Sequence, residues 1–249
     1  MNNMFDINQK IFVIFGGTGE LFGKLAIELS LLGSNVIIIG RSQEKANIIC
    51  NQGKNIKFLK FDAYNDDLND IFNKIFDIHN KIDVLINGMG VNSSTPFQQV
   101  DENEINNIFK INYNIPSLSC SLVIDSMIKN KGGVVINVGS ISGLTPLSKV
   151  YNYSASKAAL HNLTKNLARE YGKFNVRFNI LVPGFFPAEQ NKKILTDDRI
   201  KTIMDHTPMN RFGEPNDLVG TIVLLSSDAG KFINGAELVI DGGFNATKI

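Results

Sequence analysis

Cysteine is scarce in this sequence, and neither sign of charge is in excess. Among 249 residues there are two cysteines, Cys50 and Cys120, and neither has a His or Cys neighbour at metal-ligand spacing. That argues against a disulfide framework and against a metal centre, and favours free thiols in a reducing cytoplasm. Twenty-five basic residues balance twenty-four acidic ones, leaving a formal net charge of +1. No global basic field points to nucleic acid or to an anionic membrane surface. The opening residues MNNMFDINQK lack a basic region followed by a long apolar stretch, and the first apolar run has the length of a strand. Neither a signal peptide nor a membrane span is expected. No repeat, low-complexity tract or Pro/Gly/Ser-rich linker divides the chain, so residues 1–249 read as one domain.

What is present is an alternation of short β-branched runs with longer segments of helical period. Strands are expected at 11–15, 35–40, 56–61, 84–88, 133–139, 176–182 and 236–241. Helices are expected around 20–32, 66–79, 101–129, 154–173 and 215–227. Asp101 with Glu104 suits a capping box, and Pro215 suits a first helical turn. The order is that of an α/β fold, a doubly wound parallel sheet of about seven strands with helices on both faces.

Directly after the first strand stands GGTGELFG (16–23), where a dinucleotide pyrophosphate would rest on backbone N–H groups; a tight strand-to-helix turn without a ligand reads equally well from this loop alone. The second strand ends at Gly40-Arg41-Ser42, with no carboxylate for a ribose 2′-hydroxyl. Arg41 suits a 2′-phosphate, which favours NADP(H) over NAD(H), although an Arg there also serves as a solvated charge. Asp62 and Asn87-Gly88 follow the third and fourth strands, at the sheet edge where ligands bind; turn chemistry is the alternative for each.

The most specific signal is VYNYSASKAALHNLTKNLAREY (150–171), with Leu160, Leu163 and Leu167 at core-facing spacing. Tyr153 and Lys157 are four apart, so a phenol and an ammonium share one helical face. A tyrosine with a pKa near 10 needs a close positive charge to act as an acid/base at neutral pH, and Lys157 is expected to supply it. Ser140, at the end of the strand GVVINVG, places a hydroxyl where it can bond a reacting carbonyl oxygen. Asn112 is the fourth candidate, as a holder of Lys157 through water or as a helix-interior polar residue.

In order and spacing, Asn112, GSISG around Ser140, YSASK with Tyr153 and Lys157, INGMG (86–90), Pro183-Gly184 and DGGF (241–244) resemble the short-chain dehydrogenase/reductase family over nearly the whole chain. The resemblance implies a catalytic tetrad of Asn112, Ser140, Tyr153 and Lys157, and no metal. It implies a nicotinamide cofactor contacted by Gly16, Thr18, Leu21, Arg41 and Ser42. Further contacts would come from Asp62, Ala63, Asn87, Gly88, Tyr153, Lys157, Pro183, Gly184 and Phe186. Glu20 and Phe22 stand where the family's loop has glycines, and Ala188 where many members carry Thr. Arg211 in RFGEP looks like a structural feature of the family.

The segment PGFFPAEQNKKIL (183–195) with HTPMNRFGEP (206–215) is similar to the D-mannonate oxidoreductase, or fructuronate reductase, subgroup. That implies a sugar-acid substrate beneath a lid around 185–212. Ser142, Glu189, Gln190 and Asn191 are the expected substrate contacts, with Lys149 facing a substrate carboxylate or simply solvent. Reduction of a small-molecule ketone is the leading expectation. A 3-oxoacyl thioester (acyl carrier protein) reductase is the alternative within the enzyme class, and a non-catalytic dinucleotide sensor the alternative outside it. By resemblance, a homotetramer is expected, assembled through 101–129, 154–173 and the C-terminal segment.

Overall fold

Apolar residues run unbroken through β1 (Ile11–Phe15) and through Val84, Leu85 and Ile86 of β4 (Val84–Asn87), so both faces of each strand must be covered. In the computed structural model, which describes residues 3–187 and 196–247, they are. Around them β2 (Asn35–Gly40), β3 (Ile56–Lys60), β5 (Gly133–Val138), β6 (Val176–Pro183) and β7 (Glu237–Ile240) complete a seven-stranded sheet. Its order is β3-β2-β1-β4-β5-β6-β7 and every pair is parallel. Because side chains alternate along a strand, Phe12 and Ile14 enter one core while Val13 and Phe15 enter the other.

The first core packs under α1 (Glu20–Leu31), α2 (Gln43–Gln52) and α8 (Asn216–Ser226), through Leu25, Ala26, Leu29, Ile49, Leu218 and Ile222. The second packs under α3 (Leu68–Ile78) and α5 (Ile115–Lys129), through Ile71, Ile75, Val123 and Met127. Chain order reverses between β1 and β4, which opens a crevice at their carboxyl ends.

Several expectations change at the helices. α2 and α7 (Asp197–Asp205) were not foreseen, because each buries very little: Ala46 and Ile49 in one, Ile203 in the other. The helix expected over 101–129 is α4 (Glu102–Phe109) and α5 joined by a π-helical turn at Lys110–Asn114. Pro116 accounts for that turn, since it has no N–H for the carbonyl of Asn112 and its ring would strike that carbonyl in a regular helix. Asp101 caps α4 by accepting the Glu104 N–H at 2.8 Å, but the capping box is half made: the Glu104 carboxylate accepts the Thr95 hydroxyl at 2.6 Å. The long α6 (Tyr151–Tyr171) starts three residues earlier than expected, and Tyr151 packs against Phe97. Leu160 is fully buried on it, whereas Leu163 and Leu167 are half-buried; the inward stripe is Lys157, Leu160, His161, Thr164 and Ala168. Both cysteines are free thiols. Among the described residues no helix is long and apolar enough to cross a membrane, and no cluster of three or more His, Cys, Asp or Glu could hold a metal ion.

Candidate active site

The end of β5, α6 and the π turn bring Ser140, Tyr153, Lys157 and Asn112 close together. Lys157 Nζ donates to the Val138 carbonyl at 2.7 Å and lies 5.7 Å from the centre of the Tyr153 ring. The Ser140 hydroxyl lies near enough to the Tyr153 phenol to act on its titration. Burial pushes the phenol above its ordinary value, with the Ser140 hydroxyl acting against that rise. The expectation that Lys157 pulls the phenol down is not met in this arrangement. Its ammonium is turned to the Val138 carbonyl, and burial lowers the lysine itself to about 8.

Ser142, expected as a substrate contact, has its side chain engaged with Ser140. It is buried, and both its N–H (3.2 Å) and its hydroxyl (3.0 Å) donate to Ser140 Oγ. A hydroxyl has two lone pairs and one proton, so two incoming donors leave Ser140 to act as a donor itself. On the other side, the Ser140 N–H donates to His161 Nε2 at 3.4 Å. Sequence reasoning missed this histidine, although it falls four residues after Lys157 on the same helical stripe.

Asn112 is fully buried, and its side chain is a bracket. Oδ1 accepts the Val91 N–H, while Nδ2 donates to the Val91 carbonyl and to Ser156 Oγ, all at 2.9 to 3.0 Å. Asn112 Oδ1 and Lys157 Nζ both flank Gly90, 3.7 and 3.8 Å from where a Cβ would stand. The absence of a side chain there keeps the space between amide and ammonium open.

The loop after β1 fits a pyrophosphate. Gly16 has φ +78°, and a Cβ on it would lie 2.8 Å from the Gly88 carbonyl oxygen. Gly19 is the exposed N-cap of α1 and brings no capping side chain to the first-turn N–H groups. Phe22, in place of a family glycine, is buried with its ring against Gly88, and Leu21 packs on the same core. Glu20 is exposed in the first turn. Thr18 lies against Gly40 at the end of β2, beside exposed Arg41.

Other expected cofactor contacts have structural work. Ser42 caps α2 by accepting the Lys45 N–H. Asp62 accepts the Tyr64 N–H and an Asn65 N–H, which hold its carboxyl below the ordinary range, with Arg41 and Lys110 contributing charge. The Ala63 methyl is in the core, so only its backbone can face a ligand. Asn87 is buried; its Nδ2 donates to Asn137 Oδ1 at 2.8 Å while its Oδ1 has no partner, and Asn137 in turn reaches Thr164. Gly184 is pressed against Asp241, where a Cβ would come within 2.6 Å of the backbone, and Phe186 packs on Gly213. Lys149 is exposed in a left-handed turn just before α6. Glu189, Gln190, Asn191 and Ala188 lie outside the described residues. Arg211 braces its loop through paired bonds to Asp217 at 2.7 and 2.9 Å.

A family model described as "Enoyl-(Acyl carrier protein) reductase" matches residues 23–245. The chain is 32% identical to a 2-dehydro-3-deoxy-D-gluconate 5-dehydrogenase of Formosa agariphila, covering 98% of this chain and 96% of that one. It is 30% identical to the 3-oxoacyl-[acyl-carrier-protein] reductase of Chlamydia pneumoniae, over 95% and 97% of the two chains. A solved structure from Beutenbergia cavernae, given as a candidate NAD(P)-dependent gluconate 5-dehydrogenase with bound NADP, superposes with a TM-score of 0.91 at 25% identity, over 98% of this chain and all of the other. These likenesses do not single out the D-mannonate oxidoreductase subgroup. The chain belongs to the short-chain dehydrogenase/reductase family of NAD(P)-dependent oxidoreductases.

Proposed function

We propose that this protein interconverts a ketone and a secondary alcohol on a sugar acid, with Tyr153 as general acid/base. The convergence of Ser140, Tyr153 and Lys157 carries the reading. When bound, the nicotinamide supplies or accepts the hydride. In the reductive direction Tyr153 gives its proton to the carbonyl oxygen, and Ser140, made a donor by Ser142, polarises that oxygen. Lys157 keeps positive charge beside the phenol, and Asn112 holds Val91 next to the Gly90 that Lys157 flanks.

The Gly16–Gly19 loop would hold the pyrophosphate, and Arg41 would hold a 2′-phosphate, which favours NADP(H). Solved relatives hold either NADP or NADH, so the choice of phosphate rests on Arg41. The sugar-acid class is supported by the gluconate-type relatives, which put a 5-keto-gluconate first among ketones to test and keep fructuronate beside it. The lid would span 185–212; Phe185, Phe186, Thr207 and Met209 line a cavity of about 160 Å³ at its described flank. Lys149, Glu189, Gln190 and Asn191 would meet the polyol and carboxylate. A cytoplasmic homotetramer is the setting of this reading, and exposed Ile105, Leu118 and Tyr151 lie on its expected contact helices.

The Chlamydia relative favours a second reading, reduction of a 3-oxoacyl thioester. A spectrophotometric panel of 5-keto-D-gluconate, D-fructuronate and acetoacetyl thioester with NADPH and NADH separates the two. Sugar-acid turnover with NADPH is expected. Turnover of the thioester alone rejects the substrate class, and nicotinamide binding without any turnover favours the sensor.

A further inference from the structure

Behind the active site, a second polar chain runs from α6 to β7. His161 is almost fully buried, and its two ring nitrogens have different partners: Nε2 faces the Ser140 N–H, and Nδ1 lies 3.1 Å from Glu237 Oε1. Glu237 is also paired with Lys165 at 2.7 Å. A backbone N–H only donates, so Nε2 must accept; the ring proton then sits on Nδ1 and is given to the carboxylate. The imidazole is pressed onto the strand end so closely that a Cβ on Gly139 would overlap Nε2.

We infer that His161, oriented by Glu237, is a positioning residue for Ser140: the neutral imidazole holds the Ser140 backbone in place, and protonating the ring releases it. This rests on the reading of Ser140 as the donor to the reacting oxygen. A protonated Nε2 would face the Ser140 N–H donor to donor, which repels where the neutral ring attracts. The charged groups facing His161 are Glu237 from β7 and Lys157 and Lys165 from α6 itself; Gly139 of the β5 end and Ile180 of β6 bring none. Burial lowers the imidazole below its ordinary value, Glu237 acts to raise it, and the two lysines lower it further. The site is therefore intact at neutral pH and fails on the acid side. Removing the Glu237 charge moves that failure to lower pH.

The test combines two arms on the full-length protein. In the first, nitrogen-15 NMR reads the His161 tautomer and the Ser140 amide during an acid titration without substrate. The expected result is a proton on Nδ1 at pH 7 and a Ser140 amide shift that follows His161. In the second, 5-keto-D-gluconate reduction is followed against pH. His161→Leu should lower kcat about tenfold with KM within about twofold, and His161→Gln, which can accept and donate as the ring does, should restore most of it. Glu237→Gln should move the acid limb to lower pH, a shift that a purely structural role would not produce. Equal kcat in the Leu and Gln variants, an acid limb unmoved by Glu237→Gln, or a Ser140 amide indifferent to His161 would each overturn the inference. If the wild type reduces none of the ketones, the reading of the active site fails, and the amide titration still decides the His161 contact.

Discussion

Replacing Asn112 with alanine removes three hydrogen bonds at once. The Val91 N–H and carbonyl and the Ser156 hydroxyl each lose the partner they have at 2.9 to 3.0 Å, around a side chain with no exposed surface. Taking about 1 kcal/mol for each bond, the variant should lose about 3 kcal/mol of stability. For a chain of this size that is roughly 6 to 12 °C in Tm. Ser156→Ala removes only one of the three together with the Ser156 hydroxyl's own bond to the Tyr153 carbonyl, and should cost about 2 kcal/mol. Because Val91 follows Gly90, which Asn112 and Lys157 flank, turnover of Asn112→Ala at a permissive temperature should also fall about tenfold or more, the effect of 1.4 kcal/mol lost from the transition state. Thermal unfolding followed by circular dichroism, together with steady-state rates on the same preparations, measures both. A Tm within about 1 °C of wild type would refute the bracket, since three buried groups cannot lose their partners at so little cost.

Two further outcomes follow from the same site. Ser142→Ala keeps the backbone donor to Ser140 Oγ but loses the hydroxyl donor, freeing Ser140 to turn its proton away. kcat should fall roughly five- to tenfold with KM little changed, by steady-state kinetics. Lys157, lowered by burial from 10.5 to about 8, binds its proton less tightly in the folded protein than in the unfolded chain. Between those values the unfolded state holds more protons, so stability should rise with pH across that window, by up to about 3 kcal/mol, and be independent of this group below it. Denaturant unfolding of wild type and Lys157→Met at a series of pH values should show the rise only in the wild type; the same rise in both would contradict the buried ammonium.

The sheet was legible because a strand covered on both faces must be largely apolar, as IFVIF in β1 and VIII in β2 are, while the edge strand β3 still carries enough Ile, Phe and Leu beside Lys57 and Lys60 to read as a strand. Tyr153 and Lys157 were legible because a four-residue spacing is itself a statement about a helical face. What escaped was either weakly amphipathic or distant in sequence. α2 buries only Ala46 and Ile49, so its polar residues carry no period. The π turn adds one residue to a helical register that otherwise looks continuous, and only Pro116 signals it. Ser142 reads as a cleft hydroxyl until its two donors are seen to point at Ser140. His161 reaches Ser140 across 21 residues and Glu237 across 76, contacts that no local pattern encodes. Asn87 and Ser42 were expected to meet a cofactor, and local polar groups take up part of their side chains: Asn137 the Asn87 amide nitrogen, the Lys45 N–H the Ser42 hydroxyl.

The proton that accompanies hydride transfer is assigned to a single oxygen, the Tyr153 phenol, and Tyr153→Phe deletes it while leaving the ring. Measured side by side, NADPH affinity should stay within about twofold, while kcat on the best ketone of the panel should drop by about two to four orders of magnitude. A phenylalanine variant that turns over within about tenfold of wild type would contradict the assignment.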